Sequence, residues 1–143
     1  MAIAYNQFKY SRNGVLDMTY DNINAVLLER LPELAVAIQK EYDYWKEEKV
    51  PSYCLYEGVL NSSGFMDNLL LEETNMELIK KVFDLYEDMA TCDDVEVRNL
   101  LQVGLLEYLW SSVALLTTAH KYMHPQTRSL CDKIQAYLRY PQK

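Results

Sequence analysis

Apolar residues recur with the period of an α-helix along most of the chain. From Val97 to Leu109 they fall at i, i+3, i+4, i+7, i+8, i+11 and i+12, which places them on one helical face. Asp93 lies three residues before Glu96, a spacing that predicts a capping box at the start of this helix. Gly104 interrupts the apolar face at a cost of about 1 kcal/mol relative to alanine. We therefore expect another backbone to pack close to this glycine.

The same period predicts helices on both sides of this segment. Pro32 and Pro125 suit the first turn of a helix, and Thr74 with Glu77 forms a second capping box. Residues 52–73 predict two short helices separated by a turn. The other predicted helices cover 21–30, 32–49, 76–90, 111–123 and the segment from 125 until Pro141 stops it, the last with Leu130, Ile134, Tyr137 and Leu138 on its inner face. The fold class is therefore all-α, with six or seven helices, although residues 1–10 also fit a strand.

Length and composition indicate one folded domain. A chain of 143 residues is short for two well-packed cores, so residues 1–143 are predicted to form a single domain, with 1–20 as a candidate N-terminal arm. Half of the residues are apolar and only 4 are glycine and 4 proline, which excludes disordered and low-complexity classes.

The lack of an apolar targeting segment and the pattern of cysteines both predict a cytoplasmic protein. The N-terminus lacks the apolar stretch of a secretory signal, and the longest nearly uncharged stretch, 108–120, is well below the roughly 20 residues that a membrane helix requires. Cys54, Cys92 and Cys131 are odd in number and widely spaced, which favours free thiols in a reducing compartment.

Acidic residues outnumber basic ones and are unevenly distributed. The chain carries 14 basic and 21 acidic residues, a net charge of −7, which disfavours nucleic acid as a partner. Residues 57–96 hold 11 of the acidic residues and only 2 of the basic ones. Ion pairs at i, i+4, namely Glu77 with Lys81 and Lys80 with Asp84, account for a small part of this excess.

The acidic excess is most unusual at the end of the helix predicted at 76–90. Asp84, Glu87 and Asp88 lie near its C-terminus, where the helix dipole disfavours anions, and Asp93 and Asp94 follow closely. We call these five residues the acidic corner and expect them to meet a basic protein partner, because charge complementarity governs association rate and specificity.

Tyr44 is the candidate aromatic contact for the same partner. Twelve of the 17 aromatic residues are tyrosine, and Tyr44 lies in a cluster with Tyr42 and Trp45 among acidic residues. Tyrosine supplies rigid contact area with a polar tip, as interface hot spots do. The alternative is that Tyr42 and Trp45 face the core while Tyr44 is merely solvated.

The residue patterns favour neither a metal site nor catalysis. His120 and His124 are spaced i, i+4 and could face one metal ion, but no further ligand lies within four positions of either, and Pro125 indicates that His124 precedes a new helix. None of the three cysteines has the local glycine-rich turn that would indicate a catalytic nucleophile, so we expect them to be small buried hydrophobic residues. We therefore expect no metal, no cofactor and no enzymatic activity.

Residues 93–101, with Leu105 and Leu109 after them, resemble the second half of a HEAT-type helical hairpin. In that family an aspartate caps the helix and a Val-Arg pair follows, positions that Val97 and Arg98 occupy here. The match covers about 17 residues, and no second copy is visible, so a long solenoid is not expected. The resemblance implies antiparallel hairpins in a HEAT-like or bundle arrangement.

Taken with Leu31-Pro32-Glu33-Leu34, residues 96–101 also resemble a family of small bacterial all-α proteins of unknown function. Their size and acidity are similar to those of immunity proteins that neutralise polymorphic or contact-dependent toxins. This resemblance implies a cytoplasmic immunity protein that docks its acidic corner and Tyr44 on a basic toxin domain, such as a nuclease. The alternative is a HEAT-like adaptor or structural module that has no toxin partner.

Overall fold

The computed structural model describes residues 17–46 and 48–138, and all regular structure in this part of the chain is helical. Counted as uninterrupted runs, these residues form eight helices, which confirms the all-α prediction and exceeds the predicted number by one or two. The expectations for residues 1–10 and Pro141 lie outside the described residues. The elements are α1 (Ile23–Arg30), a 3₁₀ turn (Pro32–Leu34), α2 (Ala35–Trp45), α3 (Ser52–Tyr56), a first π-helical segment (Glu57–Ser62), α4 (Phe65–Glu72), α5 (Met76–Ala90), α6 (Val95–Asn99), a second π-helical segment (Leu100–Leu106), α7 (Glu107–Leu109), α8 (Val113–Tyr122) and α9 (Pro125–Leu138).

Helix α5 is the central element of the hydrophobic core. Seven of its residues are buried, among them Phe83 and Tyr86, whose rings meet edge to face at 5.5 Å. The helix packs against α6, α8, α9 and the second π-helical segment. On the other side of the core, the buried Tyr56 hydroxyl donates a 2.6 Å hydrogen bond to the Ile23 carbonyl, which ties α3 to α1. Apolar residues at helical spacing therefore form the core, as the sequence predicts.

Neither predicted capping box forms, because each helix is capped one residue later than predicted. At α5 the cap is Asn75 instead of Thr74, because its side chain accepts a hydrogen bond from the Leu78 amide. At α6 the cap is Asp94 instead of Asp93, because Asp94 has the extended backbone of a cap and accepts from the Glu96 amide at 3.0 Å. The helices themselves are confirmed, but Glu77 and Glu96 stand at the second helical position instead of the third, from which a capping-box glutamate reaches back.

The helix predicted at 32–49 ends earlier than expected. It opens with the 3₁₀ turn and stops at Trp45, because Lys46 adopts a positive φ of 56° that an α-helix cannot continue through. Its outward face is exposed, and Ile38 is its one fully buried residue.

The two π-helical segments pack against each other. The buried Asn61 amide donates a 3.2 Å hydrogen bond from Nδ2 to the Gly104 carbonyl, so the segments are linked where they meet. A Cβ atom on Gly104 would lie 3.3 Å from the Tyr53 ring and 3.3 Å from Leu100. The close neighbour of Gly104 is therefore a tyrosine ring, and the expectation of a second backbone was wrong.

The inner face of α9 differs from the predicted one. Thr127, Cys131 and Ile134 are fully buried, whereas Leu130 is half-buried and Tyr137 is exposed. The buried residues follow i, i+4 and i+7 from Thr127. Thr127 is also the residue whose amide and hydroxyl donate to Glu87 of α5.

Candidate functional site

The Asp84 carboxylate joins α5 to the turn between α8 and α9. Lys80 donates to its Oδ2 at 2.5 Å, which confirms that predicted pair, and His124 Nε2 lies 2.9 Å from its Oδ1. Burial raises the pKa of Asp84, but the hydrogen bonds from Lys80 and His124 outweigh this effect and hold the pKa below its usual range. The carboxylate is thus satisfied within the chain.

Glu87 caps the N-terminus of α9 from a neighbouring helix. Its Oε1 accepts from the Thr127 amide at 2.9 Å and from the Thr127 hydroxyl at 3.0 Å, while Oε2 accepts from the Gln126 amide at 3.1 Å. The first amides of a helix have no partner in their own helix and carry its positive dipole end, so a carboxylate there is stabilising. Glu87 therefore fixes where α9 begins against α5.

Two ion pairs connect α5 to the N-terminal half of the molecule. Arg30 at the end of α1 binds Asp88 at 2.8 Å. Lys81 binds Glu33 of the 3₁₀ turn at 2.7 Å, and this hydrogen bond lowers the pKa of Glu33. The predicted pair of Lys81 with Glu77 is therefore wrong, because the lysine reaches another element instead.

The loop between α5 and α6 holds the segment that enters α1. Asp94 accepts from the Tyr20 amide at 2.8 Å through Oδ2 while its other oxygen caps α6. The Cys92 thiol lies 3.1 Å from the Met18 carbonyl, to which it donates. Asp94 therefore serves two backbone segments at once.

Four of the five carboxylates of the acidic corner have partners within the chain. Asp93 is exposed and makes no polar contact among the residues that the structure describes. The corner remains a predicted docking surface. The contacts of Asp84, Glu87, Asp88 and Asp94 show that these residues also hold the fold together.

An open groove of about 360 Å³ lies beside Asp94, between α6, the second π-helical segment and α3. Tyr53 is 45% exposed there, and Val103 is 42% exposed. Glu96 and Asn99, both exposed, supply its polar groups. We call this site the tyrosine groove, and its lining residues are Tyr20, Tyr53, Glu96, Asn99, Leu100 and Val103.

The charge of the tyrosine groove is negative. None of its lining residues is a lysine or arginine, and no cation pairs with Glu96 within 17–46 and 48–138. Arg98, the cation nearest to Glu96 in sequence, donates instead to the Cys92 carbonyl. An apolar wall with an uncompensated carboxylate suits a ligand that is partly apolar and positively charged.

Sequence reasoning missed the tyrosine groove. Glu96, Asn99 and Val103 are spaced i, i+3 and i+7, so a helical pattern on the side opposite the apolar stripe was available as a signal. Tyr20 and Tyr53 reach the groove from other elements, and no local pattern brings them there.

Tyr44 lies on a separate surface. It is 78% exposed at the end of α2, above a shallow depression lined by Trp45, Lys46 and Glu48, none of which belongs to the acidic corner. Its ring meets that of Trp45 edge to face at 6.1 Å. Tyr42 and Trp45 are half-buried against the core. The structure therefore does not bring Tyr44 into one cluster with the acidic residues.

Each of the two histidines contacts a side chain of another helix, and of the three cysteines only Cys131 is buried. His124 faces Asp84, whereas His120 Nε2 lies 4.0 Å from the sulfur of the buried Cys131. Burial raises the pKa of the Cys131 thiol to about 11, so it stays protonated at neutral pH and is a poor nucleophile. Across the described part of the chain, no three His, Cys, Asp or Glu side chains are grouped to hold a metal, and the three cysteines are free.

The described residues define an all-α protein with an acidic, tyrosine-lined surface groove, and none of their helices is both long and apolar enough to cross a bilayer. The chain belongs to the family of the DUF7674 domain, a domain of unknown function, whose model matches residues 24–139. No curated protein and no solved structure matches the chain.

Proposed function

We propose that this chain is an immunity-type protein that binds a basic toxin domain, a nuclease in the simplest case, and prevents its action. The observation that carries the proposal is the Glu96 carboxylate, which no cation of the described residues pairs with, beside the exposed Tyr53; Asp93, also without a polar partner in that part of the chain, is close by in sequence. Nucleases concentrate Lys and Arg where they hold nucleic acid, so an acidic surface can occupy the same ground.

The difference between carboxylates that have partners within the chain and Glu96, which has no cation partner among the described residues, supports this choice of surface. Asp84, Glu87 and Asp88 are engaged with His124, the start of α9 and Arg30, so a partner's cations would have to compete with these contacts. At Glu96 a partner's cation would have no such competition, because no cation of the described residues pairs with this carboxylate. Free charges at a surface accelerate association most when they face opposite charges on the partner.

Tyr53 and Val103 supply the apolar part of the proposed interface. Specific interfaces combine a desolvated aromatic or aliphatic centre with a polar rim, and tyrosine is enriched among residues that dominate binding energy. The tyrosine groove has this arrangement, with Glu96 and Asn99 at its polar edge.

A second candidate function is an adaptor that joins two partners. The outward face of α2 favours it, because Val36 is 71% exposed and Tyr44 lies eight residues further along the same helix, away from the groove-lining residues. An adaptor needs two separate docking surfaces, whereas an inhibitor needs one.

Co-expression tests the proposal. The chain is produced in bacteria together with the C-terminal region of the large protein encoded beside its gene, and growth and co-purification are measured. The proposal expects restored growth and a stable complex with the wild-type chain, and loss of both with Glu96→Lys. Growth arrest that persists while the wild-type chain is folded and abundant contradicts inhibition. Binding without any effect on growth favours the adaptor.

A further inference from the structure

The tyrosine groove has the chemistry of a pocket for one cationic side chain. We infer that it accepts an arginine side chain of the partner, an inference that rests on the proposed function and names the group that the partner inserts. Its volume of about 360 Å³ is at the small end of ligand sites, which suits a side chain better than a folded element.

The apolar walls match the stem of arginine. Three methylene groups precede its guanidinium, and such stems are buried along apolar surface while the charged head stays polar. Val103, which is 42% exposed, provides the accessible aliphatic contact, and Leu100, three residues earlier in the same helical run, lines the groove but is almost fully buried.

The aromatic residues match the planar head. A guanidinium stacks on the face of a tyrosine ring and is attracted to its negative quadrupole. Tyr53 and Tyr20 both line the groove. The Tyr53 ring packs closely over Gly104, since a Cβ atom there would lie only 3.3 Å from the ring.

The polar edge matches the hydrogen-bond donors of arginine. A carboxylate accepts two parallel N–H bonds from a guanidinium, and an amide oxygen accepts a further one. Glu96 and Asn99 lie three residues apart at the edge of the groove, and Glu96 is not paired with a cation among the described residues. Lysine offers a point charge that cannot stack in this way, so arginine is the better occupant.

The test is an NMR titration of the full chain with a blocked tripeptide, acetyl-Gly-Arg-Gly-amide. Matched peptides carry lysine or citrulline, and citrulline has nearly the same shape as arginine without its charge. We expect saturable amide shifts at residues 53, 96, 99 and 103 with arginine, weaker ones with lysine and none with citrulline. Glu96→Gln should weaken arginine binding by about tenfold, as for loss of a charged hydrogen bond. Glu72→Gln, at an exposed glutamate of α4, should leave binding unchanged.

Three results would overturn the inference: equal shifts with citrulline, shifts confined to other surfaces, or no saturable shift with arginine at millimolar concentration. Because Glu96 is exposed, its glutamine variant should stay folded, and the amide spectrum of the free protein verifies this. The two proposals fail separately. Arginine binding without toxin neutralisation contradicts the proposed function alone, whereas neutralisation without arginine binding contradicts only this inference.

Discussion

Glu87 of α5 binds both the backbone amide and the hydroxyl of Thr127, at 2.9 Å and 3.0 Å, and so caps a helix other than its own. This contact explains an acidic residue near the C-terminal end of α5, where the helix dipole opposes it. The dipole of α9 compensates for that of α5, because the carboxylate lies at the positive end of α9.

Replacing Glu87 with alanine should therefore destabilise the protein by about 1 to 2 kcal/mol, the usual cost of losing a helix cap. Urea denaturation measures the change, and hydrogen exchange should show faster exchange at the first amides of α9. The control is Glu29→Ala, at an exposed position of α1. An equal loss of stability in both variants would contradict the capping role.

Asn61→Asp should be strongly destabilising. Asn61 is buried, and its Nδ2 donates to the Gly104 carbonyl, so a carboxylate there would have no cation partner and would face an oxygen. An uncompensated buried charge costs about 3 to 5 kcal/mol. The loss should shrink as the pH falls below the ordinary range of an aspartate and the group takes up a proton.

Thermal denaturation at neutral and acidic pH measures this effect. Asn68→Asp makes the same chemical change at an exposed position of α4 and should alter stability by less than about 0.5 kcal/mol. If Asn61→Asp is as stable as Asn68→Asp at neutral pH, the link between the two π-helical segments is not a buried one.

His120 should make stability fall in mildly acidic solution. Burial lowers its pKa in the folded protein, and the charge of Arg128 lowers it further. The unfolded chain therefore takes up a proton near pH 6.5, while the folded chain does so only at lower pH. The stability associated with neutral His120 is complete above pH 6.5 and declines as the pH falls through the folded-state pKa.

Free energies of unfolding measured between about pH 7.5 and about pH 5 should show this decline, and His120→Gln should make it shallower. The glutamine variant keeps a polar side chain beside Cys131 but cannot take up a proton. An unchanged slope in the variant would show that other groups cause the pH dependence.

Tyr53 and Tyr44 form a matched pair of exposed tyrosines on different surfaces. If the tyrosine groove docks the basic partner, Tyr53→Leu should weaken binding by roughly tenfold or more, as expected for an interface hot spot, and Tyr44→Leu should have little effect. Calorimetry with the purified partner domain makes the comparison. The reverse order of effects would place the interface on α2.

The sequence predicts the helices well because local periodicity and capping residues determine them. Val97 is fully buried as the apolar stripe requires, and the two short helices before and after residues 63–64 are present. Caps shift by one residue because neighbouring polar residues compete for the same amides, and only the backbone geometry of Asp94 decides between it and Asp93.

The site was less predictable because it depends on contacts between distant residues. Charge counting locates the acidic corner, but it cannot show that Asp88 meets Arg30 or that Glu87 caps α9. Tyr53 of α3 and Glu96 of α6 come together because α3 packs against the second π-helical segment, which continues α6. Whether a charged side chain is free to bind a partner therefore depends on the tertiary structure and not on the local sequence.

The most direct test of the docking surface is the association rate of the chain with its basic partner domain, measured by stopped-flow fluorescence over a range of ionic strength. Glu96→Lys is compared with Glu72→Lys, which makes the same change in net charge on α4. Docking at the tyrosine groove predicts that Glu96→Lys slows association at low salt by about tenfold or more and flattens its salt dependence, while Glu72→Lys has a much smaller effect. Equal effects of the two substitutions would contradict docking at the groove.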